Sequence, residues 1–163
     1  MKKLEVIEDK IVDITRLSSL LNIWRLQEKS VVFTNGCFDL LHLGHIDYLA
    51  KAADLGGKLV IGLNSDDSTR KLKGLGRPIT DQRSRSMILA SLSFVDAVIL
   101  FDEPTPLELI KFIMPDVLVK GADYALDQIV GAREVMDKGG QVERIELLQG
   151  YSTSLIEKRI KQS

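Results

Sequence analysis

The sequence contains two histidines, and they lie three residues apart in the segment TNGCFDLLHLGH, residues 34–45. That segment directly follows an apolar run that reads as a strand, so His42 and His45 fall at the start of the next helix, on one of its faces. A helix N-terminus presents free N–H groups and about half a positive charge. Two imidazoles beside those groups make a site for polyanionic oxygens such as a phosphate chain. Gly44 lets such a group approach the backbone, and Gly36 permits a tight turn out of the strand. Two other readings compete with this one. A pair of core or capping histidines is disfavoured because both sit at the expected ligand edge. A zinc site from Cys37, Asp39, His42 and His45 has suitable ligand types, but its spacing matches no common zinc pattern and no second Cys or His cluster supports it. Cys37 itself reads as a small buried thiol. Asp39 either caps the following turn or orients a ligand hydroxyl or metal, and the residues leave both open.

Three further segments carry candidate contacts. Between 70 and 85 the cations Arg70, Lys71, Lys73, Arg77, Arg83 and Arg85 are opposed by Asp81 alone. Arg70, Lys71 and Arg83 suit a solvated face, whereas Lys73 and Arg85 are placed to reach a shared phosphate. The stretch has no aromatic residue on which a nucleic-acid base could stack, so a nucleic-acid partner is not expected. In GYSTSLIEK, residues 150–158, Ser154 and Glu157 fit a capping box, and Ser152, Thr153 and Ser154 together make an anion site at a helix start. In VKGADY, residues 119–124, Lys120, Gly121, Asp123 and Tyr124 end a strand at the same edge. No Gly-x-Gly-x-x-Gly and no Walker A loop is present, which removes the main support for a dinucleotide oxidoreductase and for P-loop chemistry.

These residues need a scaffold that brings strand ends together. Apolar, β-branched runs at 31–35, 58–64, 96–101, 116–121 and 141–147 predict five strands. Helical spacing predicts helices at 14–28, 43–55, 80–93, 105–113, 126–138 and 152–162, with Thr80 and Asp81 as cap candidates for the third. The stretch 65–79 reads as a polar, basic connection. Such alternation predicts an α/β fold: a Rossmann-like, doubly wound, parallel five-stranded sheet with helices on both faces. Ligands then bind beyond the carboxyl ends of the strands, where strand order reverses. The 163 residues suit a single domain, with 1–29 as a helical extension packed on it. The formal net charge is −1, which excludes a globally basic nucleic-acid binder. A single cysteine excludes an internal disulfide framework, the start MKKLEVIEDK has no signal-peptide core, and no apolar run approaches a membrane span. A cytoplasmic protein without a membrane partner is the expectation.

The segment His42-Leu43-Gly44-His45 resembles the His-x-Gly-His signature of the nucleotidyltransferase superfamily, and Ser152-Thr153-Ser154 resembles its second, C-terminal signature. TNGCFDLLHLGHIDYL, NSDDSTRKLKGLGRPI, VDAVILFDEPTPLELI, PDVLVKGADY and YSTSLI, with the helix at 14–28, are similar to the adenylyltransferases of ADP-heptose synthesis. Cytidylyltransferases for small alcohol phosphates, such as glycerol 3-phosphate, share the first signature. They carry an Arg-Thr-Glu-Gly-like stretch where this sequence has Leu148-Gln149-Gly150-Tyr151, which lowers that alternative.

The resemblance implies transfer of AMP from ATP to D-glycero-β-D-manno-heptose 1-phosphate with release of pyrophosphate, for the inner core of lipopolysaccharide. It implies that His42 and His45 contact the α- and β-phosphates. Lys73 and Arg85 would neutralise the attacking phosphate and developing charge, and Ser152, Thr153 and Ser154 would hold the far phosphates. Thr34, Asn35, Gly36, Cys37 and Phe38 would pass beneath ribose and phosphates, with Asp39, Gly44, Lys120, Gly121 and Asp123 completing the nucleotide cradle. Mg2+ would bridge phosphate oxygens with few or no protein ligands, and no resident metal is expected. In many bacteria this activity is one domain of a bifunctional protein with a sugar kinase. Here the kinase half is missing from the sequence, so a stand-alone enzyme with a separate sugar kinase as pathway neighbour is expected. The resemblance also points to a homo-oligomer such as a dimer.

Overall fold

A computed structural model describes residues 2–162. Six strands form one sheet: β1 (Ile11–Val12), β2 (Val31–Gly36), β3 (Lys58–Asn64), β4 (Ala97–Phe101), β5 (Val117–Gly121) and β6 (Gln141–Ile145). Their spatial order is β1-β4-β3-β2-β5-β6, and every pair is parallel. Eight helices connect them: α1 (Lys3–Glu8), α2 (Ile14–Leu26), α3 (Leu43–Ala53), α4 (Asp66–Lys73), α5 (Gln82–Ser91), α6 (Leu107–Ile113), α7 (Ala132–Asp137) and α8 (Thr153–Gln162).

The strands are nearly continuous apolar runs because both faces of the sheet are covered. Their side chains alternate between two cores. Val31, Phe33, Val60, Ala97, Ile99 and Leu118 pack with Leu17, Leu21 and Trp24 of α2, with Ile110 and Ile113 of α6 and with Val135 of α7. Val32, Leu59, Ile61, Leu63, Val98 and Val119 pack with Tyr48 and Leu49 of α3 and with Leu89 and Ala90 of α5. Capping side chains fix where several helices start. Asp13 accepts from the Arg16 N–H at 2.8 Å, Ser65 from Ser68 N–H at 3.1 Å and Asp81 from Ser84 N–H at 2.9 Å. Among the described residues no helix is long and apolar enough to cross a membrane.

Strand order positions the site. From β2 the chain steps outward to β3 and β4, then returns to the other side of β2 as β5. β2 pairs with β3 along its whole length, but with β5 only at Val32↔Val117 and Phe33↔Leu118. Beyond Phe33 the two strands part, and a crevice opens at their carboxyl ends, the place where open α/β sheets bind ligands.

The structure differs from the sequence-based expectation in its N-terminal and connecting segments. The sheet has six strands rather than five, because Ile11–Val12, within the stretch expected to be a helical extension, pairs with Val98 and Ile99. Two residues between Lys10 and Asp13 give no periodic signal; they become a strand because β4 offers them an open edge. Residues 66–73, within the stretch expected as a polar, basic connection, form α4, whose buried side is Ser68 and Thr69, so no apolar periodicity marks it. The helix expected at 126–138 is split into a 3-10 turn at Leu126–Gln128 and α7.

Phe33 is wholly buried in the central strand. Phe33→Ala is expected to lower the unfolding free energy by about 3–5 kcal/mol, read from denaturant titrations.

Candidate functional site

The crevice between β2 and β5 deepens into a cavity of about 420 Å³. His42 is the N-cap of α3 and His45 lies in its first turn. Their rings stack with centroids 3.9 Å apart and planes 27° apart. The His42 backbone N–H donates to His45 Nδ1 at 3.4 Å, so His45 closes the helix start and also lines the cavity. Phe38 meets His45 edge-on, centroids 5.5 Å apart. His42 Nδ1 is buried and has no hydrogen-bond partner among the described residues. A buried polar atom left unpaired beside a cavity favours a ligand that supplies the missing partner.

Burial sets the charge of this pair. It pushes His45 down to about 4, and repulsion from His42, where that ring is protonated, and from Lys73 adds to the effect. Burial lowers His42 as well. In the free protein at neutral pH both rings are therefore uncharged, which is compatible with face-to-face stacking. Gly44, between them, is buried, and a Cβ there would come within 3.0 Å of the His42 ring and 3.2 Å of Tyr151 Cβ.

The opposite wall comes from β5. Lys120 donates to Asn35 Oδ1 across the parted strands, and its ammonium lies 5.9 Å from the Tyr124 ring centroid. Burial lowers Lys120 to about 8, with Asp123 and Cys37 opposing that shift. Gly121 and Asp123 line the cavity here, as do Gly36, Cys37 and Phe38. Lys73 enters from the last turn of α4.

The remaining wall is formed by Leu147, Leu148, Tyr151 and the start of α8, where Ser152, Thr153 and Ser154 line the cavity. Ser152, rather than the expected Ser154, caps this helix, accepting from the Leu155 N–H at 3.2 Å. Glu157 does not close a capping box; it pairs with Arg77.

Three of the residues singled out from the sequence lie behind the cavity wall. Arg85, read as a phosphate contact, is 1% exposed. Its guanidinium donates to the Cys37 carbonyl at 2.6 Å, the Asn64 carbonyl at 2.8 Å, the Thr80 carbonyl at 3.0 Å and Asp66 Oδ1 at 2.8 Å. Its polar reach is occupied by protein, so it positions the loops around the site instead of facing a ligand. Asp39 is buried and accepts from Ile79 N–H at 2.8 Å, Thr80 N–H at 2.9 Å and Arg77 Nη1 at 2.7 Å. Burial alone would raise its carboxyl, but these donors outweigh it and hold the carboxyl below its ordinary value. Thr34 is wholly buried and shares a 2.8 Å hydrogen bond with the Tyr48 hydroxyl. With Asp39 committed to Arg77 and the loop, the four residues weighed as a zinc set do not converge on one point. Among the described residues no group of three or more His, Cys, Asp or Glu side chains is arranged to hold a metal ion. Tyr48, Leu147, Leu148 and Tyr151 line the cavity without having been singled out. Tyr48 lies three residues beyond His45 on the same helix, a spacing that could have suggested it.

Comparison with known proteins adds a family to this geometry. The family model described as cytidylyltransferase-like matches residues 33–159, from the middle of β2 into α8. The chain belongs to the cytidylyltransferase-like family. The matched span contains both histidines, Lys73, Lys120 and the α8 hydroxyls, and it leaves β1 and α2 outside. The bifunctional protein HldE of Koribacter versatilis is 50% identical over 94% of this chain. That of Campylobacter curvus is 52% identical over 96%. In both cases the match takes up 32% of the relative, so the chain spans about a third of the length of these proteins. Among solved structures, the lipopolysaccharide core biosynthesis protein of Thermoplasma volcanium is 30% identical with a TM-score of 0.61, covering 76% of this chain and 99% of that one. Pantoate-beta-alanine ligase of Francisella tularensis aligns with a TM-score of 0.62 over 93% of this chain and 76% of its own, at 16% identity, a likeness of fold alone.

Two outcomes follow for this cytidylyltransferase-like site. Arg85→Gln leaves buried carbonyls and Asp66 without their cation and is expected to cost about 3–5 kcal/mol of stability in denaturant titrations. The second concerns pH. His45 binds a proton near 6.5 when unfolded but near 4 when folded, so between those values the unfolded chain holds more protons. The contribution of His45 is complete above about pH 6.5 and is lost as pH falls towards 4. His45→Gln is expected to flatten that part of the stability–pH curve, measured by urea unfolding across the window.

Proposed function

We propose that this chain is an adenylyltransferase that moves AMP from ATP to a sugar 1-phosphate, D-glycero-β-D-manno-heptose 1-phosphate, giving ADP-heptose and pyrophosphate. The observation that carries this reading is the stacked imidazole pair at the start of α3, opening onto the crevice where β2 and β5 part. About 50% identity to proteins named HldE supports the heptose assignment, as does 30% identity to a lipopolysaccharide core biosynthesis protein. The name bifunctional, and the fraction of HldE matched, fit a second activity elsewhere in those relatives; a sugar kinase is the pathway neighbour in this reading. A homodimer and a cytoplasmic setting belong to the same reading.

A phosphate oxygen of the sugar 1-phosphate attacks the α-phosphorus of ATP in line. The new P–O bond forms as the bond from the α-phosphorus to the bridging oxygen breaks, and that oxygen leaves on pyrophosphate. Such transfers ask the protein for positioning and charge stabilisation more than for covalent chemistry. His42 and His45 take the α- and β-phosphate oxygens; the orphaned His42 Nδ1 gains a polar partner. Anionic oxygens beside the rings raise their proton affinity, so positive charge develops where negative charge does. Lys73 neutralises the phosphates being joined. Ser152, Thr153 and Ser154 hold the far phosphates with the N–H groups of α8. Asn35, Gly36, Cys37 and Phe38, with Lys120, Gly121 and Asp123, form the bed for ribose and base. Asp123, the carboxylate lining the cavity, would face an Mg2+ ion arriving with the nucleotide, and that ion would supply charge neutralisation.

The test is pyrophosphate release by the purified chain with heptose 1-phosphate and either ATP or CTP. Turnover with ATP supports the reading. Turnover confined to CTP and an alcohol phosphate such as glycerol 3-phosphate replaces it with the cytidylyltransferase alternative. His45→Ala and Lys73→Ala are each expected to lower kcat by about a hundredfold or more while the protein stays folded. Arg70→Ala, at an exposed position paired with Asp67, is expected to change it little.

A further inference from the structure

The helix that starts at the three hydroxyls lies on the surface of the protein. None of the residues of α8 is buried, and Ile156 and Glu157 are among the few that are even half-buried. Among the described residues, the ion pair that joins α8 to the body is Arg77–Glu157. Arg77 is itself 17% exposed, and its other guanidinium nitrogen donates to Asp39 at 2.7 Å, whose side chain is 1% exposed. One planar fork therefore bridges two carboxylates. The first lies in the signature segment, next to Phe38, which packs on His45. The second lies one turn into α8, four residues beyond Thr153. Asp39 is in turn tied to the body, because it also accepts from the Ile79 and Thr80 N–H groups. A buried, fully hydrogen-bonded carboxylate is thus the fixed end of the bridge, and α8 is the end that gets located.

We infer that Arg77 is a positioning residue for the triphosphate: by clamping Glu157 to the fixed Asp39 it sets the α8 hydroxyls Ser152, Thr153 and Ser154 at their distance from the imidazole pair. Arg77 does not line the cavity, so its effect passes through α8. A lysine cannot replace it, since a point charge does not span two separated carboxylates as the guanidinium fork does. Hydroxyls that hold the far phosphates equally before and at the transition state contribute uniform binding. Their misplacement raises KM for ATP and leaves kcat nearly unchanged. The inference rests on the adenylyltransferase reading for the choice of ATP as probe.

The experiment measures ATP affinity by calorimetry, together with KM, kcat and Tm, for the full chain and its E157Q, R77K and R77K/E157Q variants, with R70Q as control. E157Q leaves the Arg77–Asp39 pair in place and so carries the test even if R77K folds poorly. E157Q is expected to weaken ATP binding and raise KM by about tenfold, with Tm and kcat close to those of the wild type. R77K is expected to do at least as much, and the double variant no more than R77K alone, because both changes cut the same bridge. Wild-type ATP affinity in E157Q, multiplicative effects in the double variant, or a loss confined to kcat would each overturn the inference while leaving the proposed function standing. A wild-type chain that binds no ATP would overturn both.

Discussion

The carboxyl edge of the sheet is organised around one buried guanidinium. Each strand that ends there leaves carbonyl groups that no neighbouring strand can satisfy, and a buried carbonyl without a donor costs about 1–3 kcal/mol. Arg85 supplies donors to three such carbonyls, those of Cys37, Asn64 and Thr80, and to the Asp66 carboxylate. Those four acceptors belong to the turn leaving β2, the end of β3, the first turn of α4 and the connection into α5. The turn precedes the imidazole pair, α4 carries Lys73, and the connection follows Arg77. Arginine suits this role because it offers five N–H donors in a rigid plane and stays protonated. The desolvation of its charge is offset by the Asp66 carboxylate, itself 30% exposed. The cavity walls can therefore be polar loops and still be stiff.

With the loops fixed, the cavity is arranged so that several of its bases carry less charge than in water. His45 is held at about 4 and Lys120 at about 8, both chiefly by burial. Two stacked rings 3.9 Å apart could not both be protonated cheaply in this setting. Discharged imidazoles can stack, one accepting from the backbone of the other. The arrangement stores a preference: an anion entering between α3 and β5 offsets the desolvation that keeps the imidazoles neutral, whereas a neutral ligand does not. Selectivity for a polyanion then comes from burial as much as from a count of cations. Asn35 has a related part, since its Oδ1 holds the Lys120 ammonium across the opening when no anion is there to do so.

Much of this was legible in the sequence because the signals are local. The strand over 31–35, the helix after it and the histidine pair at their junction follow from apolar runs and a spacing of three. The sheet edge that gathers Lys120 and Ser152 follows from strand–helix alternation. What escaped was long-range. Arg85 looks like any cation in a basic run, and nothing near it in the sequence says that the Cys37 and Asn64 carbonyls, from two other loops, will need a donor. Asp39 was read as a local cap or a ligand contact, while its donors lie 38 to 41 residues away. The bounds of α4 carry no apolar signal because its inward side is made of hydroxyls, and β1 carries none because two residues show no period. The capping of α8 was placed two residues late: Ser152 and Ser154 are both chemically able to cap, and the docking of Glu157 on Arg77 removes the partner that would have favoured the latter.

The signature segment illustrates why residues that never face the cavity still belong to the site. Phe38 has φ of 45°, a left-handed conformation that a non-glycine side chain occupies at a cost of order 1–3 kcal/mol. That conformation is held from both sides. The carbonyl before it, on Cys37, is bound by Arg85, and the residue after it, Asp39, is bound by Arg77, Ile79 and Thr80. The strained turn brings the Phe38 ring edge-on to His45 and over Gly36, where any Cβ would come within 3.0 Å of the ring. Thr34, further back, ties β2 to α3 through the Tyr48 hydroxyl and so fixes the helix that bears the histidines. An aromatic ring in this place covers one side of His45 and so adds to the burial that lowers its proton affinity. Backbone strain at one residue, two buried charge networks around it and a depressed histidine are thus one device, and its effect is to keep an uncharged imidazole ready at the spot where an anion is to be received.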